Sequence, residues 1–196
     1  MKSELSPPAP LSSADPEHGL TVLLSAEQIA RRVREMGEQI GADHRDVCPI
    51  LVAVLKGAFV LIGDLSRALA IPHEVAFLQA ASYGHGTMSS GQVRILSDLH
   101  RDIAGRHVIL VEGVVDSGLT LSYLIDQLKR RSPASLKVAT LLDKAPCHKV
   151  EVKLDYVGFT IGQEFVIGYG MDVAERFRNL PFVGTLRPEV YRDAVS

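Results

Sequence analysis

The chain has 196 residues, 46% of them hydrophobic, and its 21 Lys and Arg against 23 Asp and Glu leave a formal net charge of -2. This length builds one domain with a real core and is short for two. The charge balance offers nothing to nucleic acid or an anionic membrane, and no apolar run approaches the length that crosses a bilayer. The N-terminus carries Lys2, Glu4 and several prolines instead of the apolar core of a secretion signal, so a soluble cytoplasmic protein is expected. Cys48 and Cys147 have no metal-ligand spacing, and sequence neighbours such as Cys147 and His148 rarely meet with the geometry of a nucleophile and its base.

Residues from Met1 to about Gly19 are rich in Pro, Ser, Ala and Glu and read as a mobile tail ahead of a single domain over 20–196. A short strand is expected at Thr21 to Leu24. Ser25 and Gln28 then form a capping box, opening a helix whose stripe is Ile29, Val33, Met36 and Ile40 and whose end falls near Gly41. Pro49 to Leu55 has the pattern of a buried strand, and it delivers Lys56-Gly57-Ala58 to an apolar helix carrying Phe59, Leu61, Ile62, Leu65 and Leu69. His73 to Ala81 is another strand, with a return at Val93 to Leu96. Between them, Ser82 to Gly91 holds three glycines, the composition of a hairpin tip or of a lid that closes over a substrate.

The most informative stretch is Val108 to Leu121, V-I-L-V-E-G-V-V-D-S-G-L-T-L. Val108 to Val111 suits a strand buried on both faces, Glu112 breaks the run, and Asp116, Ser117, Gly118 and Thr120 can make a tight turn. Leu121, Leu124, Ile125 and Leu128 follow at helical spacing. A strand-loop-helix junction of this kind aims backbone N–H groups and a helix N-terminus at one point, which suits phosphate. Acidic Glu112 and Asp116 are unfavourable beside a phosphate unless they face sugar hydroxyls, a cation or a protonated base. A ligand with a phosphate, a polyol and Mg2+ is therefore expected; in the plainer reading, Asp116 merely caps the helix.

Leu136 to Leu142 forms a strand ending at Asp143-Lys144, which places Lys144 where ligands collect in open α/β sheets. Strands at Leu154 to Ile161 and Phe165 to Ile167 lead to Gly168-Tyr169-Gly170-Met171-Asp172 and Arg176-Phe177-Arg178-Asn179-Leu180-Pro181. Alternating strands and helices argue an α/β fold, a largely parallel twisted sheet flanked by helices, with a smaller lobe from the last third capping the site.

Residues 108–120 resemble the phosphoribosyl-diphosphate signature of the type I phosphoribosyltransferases. Gly168 to Asp172 and Arg178 to Pro181 resemble the bacterial hypoxanthine-guanine branch of that family, and the similarity spans about Thr21 to Tyr191. The resemblance implies the family's fold with a flexible active-site loop, beginning at Ser82 and Tyr83. It also implies transfer of 5-phosphoribosyl from its 1-diphosphate to hypoxanthine or guanine, giving a purine nucleoside monophosphate and diphosphate. Asp116 would be the general base or the partner of the base N–H. Asp116, Ser117, Gly118, Leu119 and Thr120 would cradle the 5′-phosphate, and Lys56, Gly57 and Arg178 would meet the diphosphate. Lys144, Phe165 and Val166 would bind the purine, with Lys144 donating to its exocyclic oxygen. Glu112 would contact ribose or the metal's water shell, and Glu112 and Asp172 stand on the side of the Mg2+. Family members are commonly dimers or tetramers. Gly113 stands where the family has a second acidic residue, which implies a raised KM for the sugar substrate that Gly113→Asp would lower. A nucleotide-sensing regulator with little turnover is the alternative on the same fold.

Overall fold

The computed structural model describes residues 19–83 and 92–187. The expected tail before Gly19 and the expected loop residues 84–91 lie outside the described residues. In chain order the elements are β1 (Leu20–Leu24), α1 (Ala26–Asp43), β2 (Ile50–Leu55), α2 (Phe59–Ala68), β3 (Glu74–Tyr83), β4 (Gln92–Ser97), β5 (His107–Val115), α3 (Leu119–Lys129), β6 (Ser135–Asp143), β7 (Tyr156–Thr160), β8 (Val166–Ile167) and β9 (Val183–Leu186).

A six-stranded sheet of order β4-β3-β2-β5-β6-β7 forms the centre; every pairing in it is parallel except β3 with β4. Strand periodicity divides the core in two. Leu51 and Ala53 of β2, Ile109 and Val111 of β5, and Ala139 and Leu141 of β6 face α1 and α2, whereas Ile50, Val52, Val108, Leu110 and Val138 face Leu121, Leu124 and Leu128 of α3. Each large side chain fully buried in this way contributes roughly 1.5–3 kcal/mol. The Ser25–Gln28 capping box opens α1, and the stripe Ile29, Val33, Met36 and Ile40 is buried, as the spacing predicts. Arg32 leaves that helix to donate to the carbonyls of Val157 (2.7 Å) and Gly158 (2.9 Å) on edge strand β7.

The smaller lobe is a three-stranded antiparallel sheet of order β1-β9-β8. It has its own core, with Leu20, Ile167, Val173, Leu180, Phe182 and Leu186. The last third of the chain does not build this lobe alone, since β1 supplies an edge strand and the Gly19 carbonyl accepts from the Arg187 N–H at 3.1 Å. Gly19 is buried and belongs to the folded part, not the tail.

One expectation is corrected. Glu112 does not break β5, because the strand continues through Gly113 to Val115, with Glu112 opposite Thr140 and Val114 opposite Leu142 of β6; a partner ladder on the sheet outweighs one polar residue. Phe59 sits at the first turn of α2 and is 45% exposed.

Candidate active site

The sheet order reverses between β2 and β5, and ligands in open α/β sheets bind beyond the strand ends at such a switch point. The carboxyl end of β2 delivers Lys56-Gly57 there, across a cis Leu55–Lys56 peptide. The carboxyl end of β5 delivers residues 116–118 to α3. Gly118 is the helix N-cap, at φ 77°, a conformation that costs most L-residues roughly 1–2 kcal/mol. The N-cap is Gly118 and Asp116 makes no capping hydrogen bond to α3, so the plain capping reading falls; Ser117 Oγ instead accepts, weakly, from the Leu119 N–H at 3.5 Å. The first N–H groups of α3 have no carbonyl one turn before them and remain donors for a ligand. Around this turn, Glu112, Val114, Asp116, Ser117, Gly118 and Thr120 line a cavity of about 110 Å3.

Glu112 resolves the electrostatic conflict seen in the sequence. Burial pushes its carboxyl up to about 8, opposed by a hydrogen bond from the Gly113 N–H at 3.1 Å. Glu112 is half-buried on the cavity wall, and the raised pKa makes it less acidic beside a phosphate than a free carboxylate. A side chain at Gly113 would have little room. A Cβ there would lie 2.8 Å from the Gly57 carbonyl oxygen and 3.0 Å from its carbon, so the Gly57–Ala58 peptide fills the space a side chain would take. Gly170, at φ 98°, lies on another side of the same carbonyl, and a Cβ there would also clash with it.

A second cavity, of about 530 Å3, adjoins the first and shares Val114 and Asp116 with it. Lys56, Gly57, Lys144, Phe165, Val166, Asp172 and Arg178 all line it. The structure thus brings together the residues expected for base and diphosphate. Lys144 is 6% exposed, held by its N–H to the Val115 carbonyl (2.9 Å), and its Nζ meets Asp116 Oδ2 at 2.9 Å. Phe165 is 40% exposed, whereas Val166 is buried. Arg178 donates to the Gly170 carbonyl (2.8 Å) and pairs with Asp172 Oδ1 (2.9 Å).

Glu175 is the site residue that sequence reasoning missed. Its Oε2 takes Lys56 Nζ at 2.9 Å and Arg178 Nη2 at 3.2 Å, and these two cations hold its carboxyl below the usual range. Its N–H donates to Asp172 Oδ2 at 2.9 Å. A cluster of left-handed residues, Ala174, Glu175 and Phe177, curls this segment over the cavity. Such geometry in non-glycine residues was the available signal, but it is not legible in sequence.

Ser82 and Tyr83 are the last residues of β3, opposite Val93 and Gln92 of β4, and the loop expected to begin with them lies outside the described residues. Glu112 and Asp172 line different cavities, and among the described residues no three His, Cys, Asp or Glu side chains converge as a metal cage. Cys147 is a free thiol; His148 faces Asp143 Oδ1 at 2.8 Å instead of serving the thiol.

The fold and these paired cavities define a phosphoribosyl transferase domain: the family model of that description matches residues 20–174, and the chain belongs to the family. Within it the chain belongs to the hypoxanthine-guanine branch. It is 51% identical over 178 residues to the hypoxanthine-guanine phosphoribosyltransferase of Mycobacterium tuberculosis, covering 88% of each protein. A crystal structure of a hypoxanthine phosphoribosyltransferase from Staphylococcus aureus superposes with a TM-score of 0.85 at 37% identity, over 90% of this chain and 96% of that one. The Trypanosoma cruzi hypoxanthine phosphoribosyltransferase, solved in complex with the product IMP, superposes with a TM-score of 0.81 at 41% identity, over 87% of this chain and 95% of that one.

Proposed function

We propose that the chain is a purine-salvage transferase that joins hypoxanthine or guanine to 5-phosphoribosyl 1-diphosphate, releasing IMP or GMP and diphosphate. The observation that carries this reading is the position of Asp116 on the shared wall of the two cavities. A ribose must bridge its own 5′-phosphate and its reacting C1, so a residue on that wall stands beside the reaction.

In this reading the 116–120 turn takes the 5′-phosphate through backbone N–H groups and the Ser117 and Thr120 hydroxyls, while Glu112 contacts a ribose hydroxyl. Lys56, the Gly57 peptide and Arg178 receive the diphosphate, whose negative charge grows as the C1–O bond breaks. Phe165 offers its ring face to the purine beside the backbone of Val166. Lys144 can only donate, which favours a 6-oxopurine over adenine with its amino donor. Asp116 takes the proton that the base nitrogen loses on bonding to C1. When the base engages Lys144, Asp116 exchanges its Lys144 partner for that N–H.

Mg2+ fits the donor set as an ion that arrives with the substrate. It usually binds through one or two carboxylates plus phosphate oxygens, and Asp172 offers a carboxylate on the cavity wall beside Lys56 and Arg178. When bound, it would neutralise the leaving diphosphate. Glu112 would stand on the ribose side, toward the ion's water shell. The domain reading is one unit over 20–196, acting in the cytoplasm on small molecules as a homodimer or homotetramer. Among the described residues no helix is long and apolar enough to cross a membrane. The test is base-dependent release of diphosphate by the purified protein. Diphosphate production that does not depend on a purine would refute the assignment.

A further inference from the structure

We propose that Glu175 is an internal counter-anion: in the ligand-free protein it occupies the diphosphate's place between Lys56 and Arg178, and the incoming diphosphate displaces it. This deepens the proposed function and rests on its assignment of Lys56 and Arg178 to the diphosphate.

One oxygen, Glu175 Oε2, bridges both cations, at 2.9 Å from Lys56 Nζ and 3.2 Å from Arg178 Nη2, as one oxygen of a diphosphate would. The two cations are 122 positions apart in the chain and come from different elements, so the carboxylate keeps them aimed at one point before substrate arrives. The contact is also easily broken. Glu175 and Lys56 side chains are 65% and 52% exposed, so rotation of one side chain opens the subsite without disturbing the core. Asp172 keeps Arg178 in place meanwhile, through its own pair at 2.9 Å. A carboxylate left beside the site repels diphosphate and recaptures the cations when product leaves, so it weakens diphosphate binding and favours release. Exposed pairs of this kind hold a modest preference, and two of them together imply a several-fold effect.

The experiment is calorimetric titration of the full chain with inorganic diphosphate, with and without Mg2+, for the wild type, Glu175→Gln, Glu175→Asp, Lys56→Gln and the Lys56→Gln/Glu175→Gln double variant. Glu175→Gln is expected to bind diphosphate about three- to tenfold tighter, with Glu175→Asp between it and the wild type. The KM for phosphoribosyl diphosphate should fall with it while the KM for the purine stays constant, a split that a merely structural residue would not produce. Removing Glu175 should gain less in the Lys56→Gln background, because one of its two partners is gone. Unchanged binding by Glu175→Gln would overturn the proposal. So would weaker binding, and weakening confined to the Mg2+ titration would make Glu175 a metal ligand. Lys56→Gln binding diphosphate as well as wild type would instead refute the subsite assignment itself, and the proposal with it.

Discussion

Replacing Gly113 with alanine tests whether the Gly57 peptide is seated by the strand beneath it. The new Cβ would lie 2.8 Å from the Gly57 oxygen, where ordinary contacts begin near 3.4 Å, so the peptide must retreat by about 0.6 Å. It has little room, because Gly170 presses on the same carbonyl. Over-packing of this kind costs about 1–3 kcal/mol. A misplacement of about 1 Å at a reacting centre can cost on the order of a hundredfold, so a shift of this size implies about a tenfold loss of kcat/KM for phosphoribosyl diphosphate. Gly113→Asp should behave worse, the reverse of what a missing carboxylate implies. Steady-state kinetics with saturating hypoxanthine and varied sugar substrate measure this, with urea unfolding to follow stability. A Gly113→Ala protein within twofold of wild type, or a Gly113→Asp protein with a lower KM, would refute the reasoning.

Three further outcomes follow from other contacts. Lys144→Gln removes a buried cation paired with Asp116 and should raise the purine KM about 10- to 100-fold, since a charged hydrogen bond contributes about 1.5–3 kcal/mol; kinetics with varied hypoxanthine check it, and the KM for the sugar substrate should move little. Glu112 has a folded pKa raised from 4.5 to about 8. Below about pH 4.5 it is protonated in both states; its contribution to stability is then lost progressively as pH rises to about 8 and stays lost above. Glu112→Gln should therefore match wild type near pH 4 and be more stable at pH 8, in metal-free buffer, by a few kcal/mol, with about 5 kcal/mol as the ceiling at 1.36 kcal/mol per pH unit. Arg32→Ala strips two donors from the β7 carbonyls and should cost about 2 kcal/mol, seen as a thermal midpoint about 4–8 °C lower, with kcat unchanged at 25 °C.

Much of the fold was legible because its signals are local. The Ser25–Gln28 box, the α1 stripe and the apolar run of β2 each state their element within a few residues. The β1–β9 pairing was not legible, because it joins residues about 165 positions apart and no pattern in either strand names its partner. Glu112 misled as a strand breaker because the sequence does not show that β6 pairs beside it. Among site residues, the 116–120 turn and Lys144 follow from strand ends and are recovered in one pair of cavities. Glu175 carries no mark of its own in sequence; only the left-handed turns of 174–177 bring it to Lys56. The close approach of the Gly57 carbonyl to Gly113 is a long-range contact that no sequence pattern shows.

The most direct test of the central claim is diphosphate release by the purified protein with Mg2+ and phosphoribosyl diphosphate, offering hypoxanthine, guanine, xanthine and adenine in parallel, with Asp116→Asn as control. The account predicts turnover with hypoxanthine or guanine, little with adenine, and a fall of about 10²–10⁴ in the control. No turnover with any base despite tight nucleotide binding would contradict it and leave a nucleotide-sensing regulator on this fold.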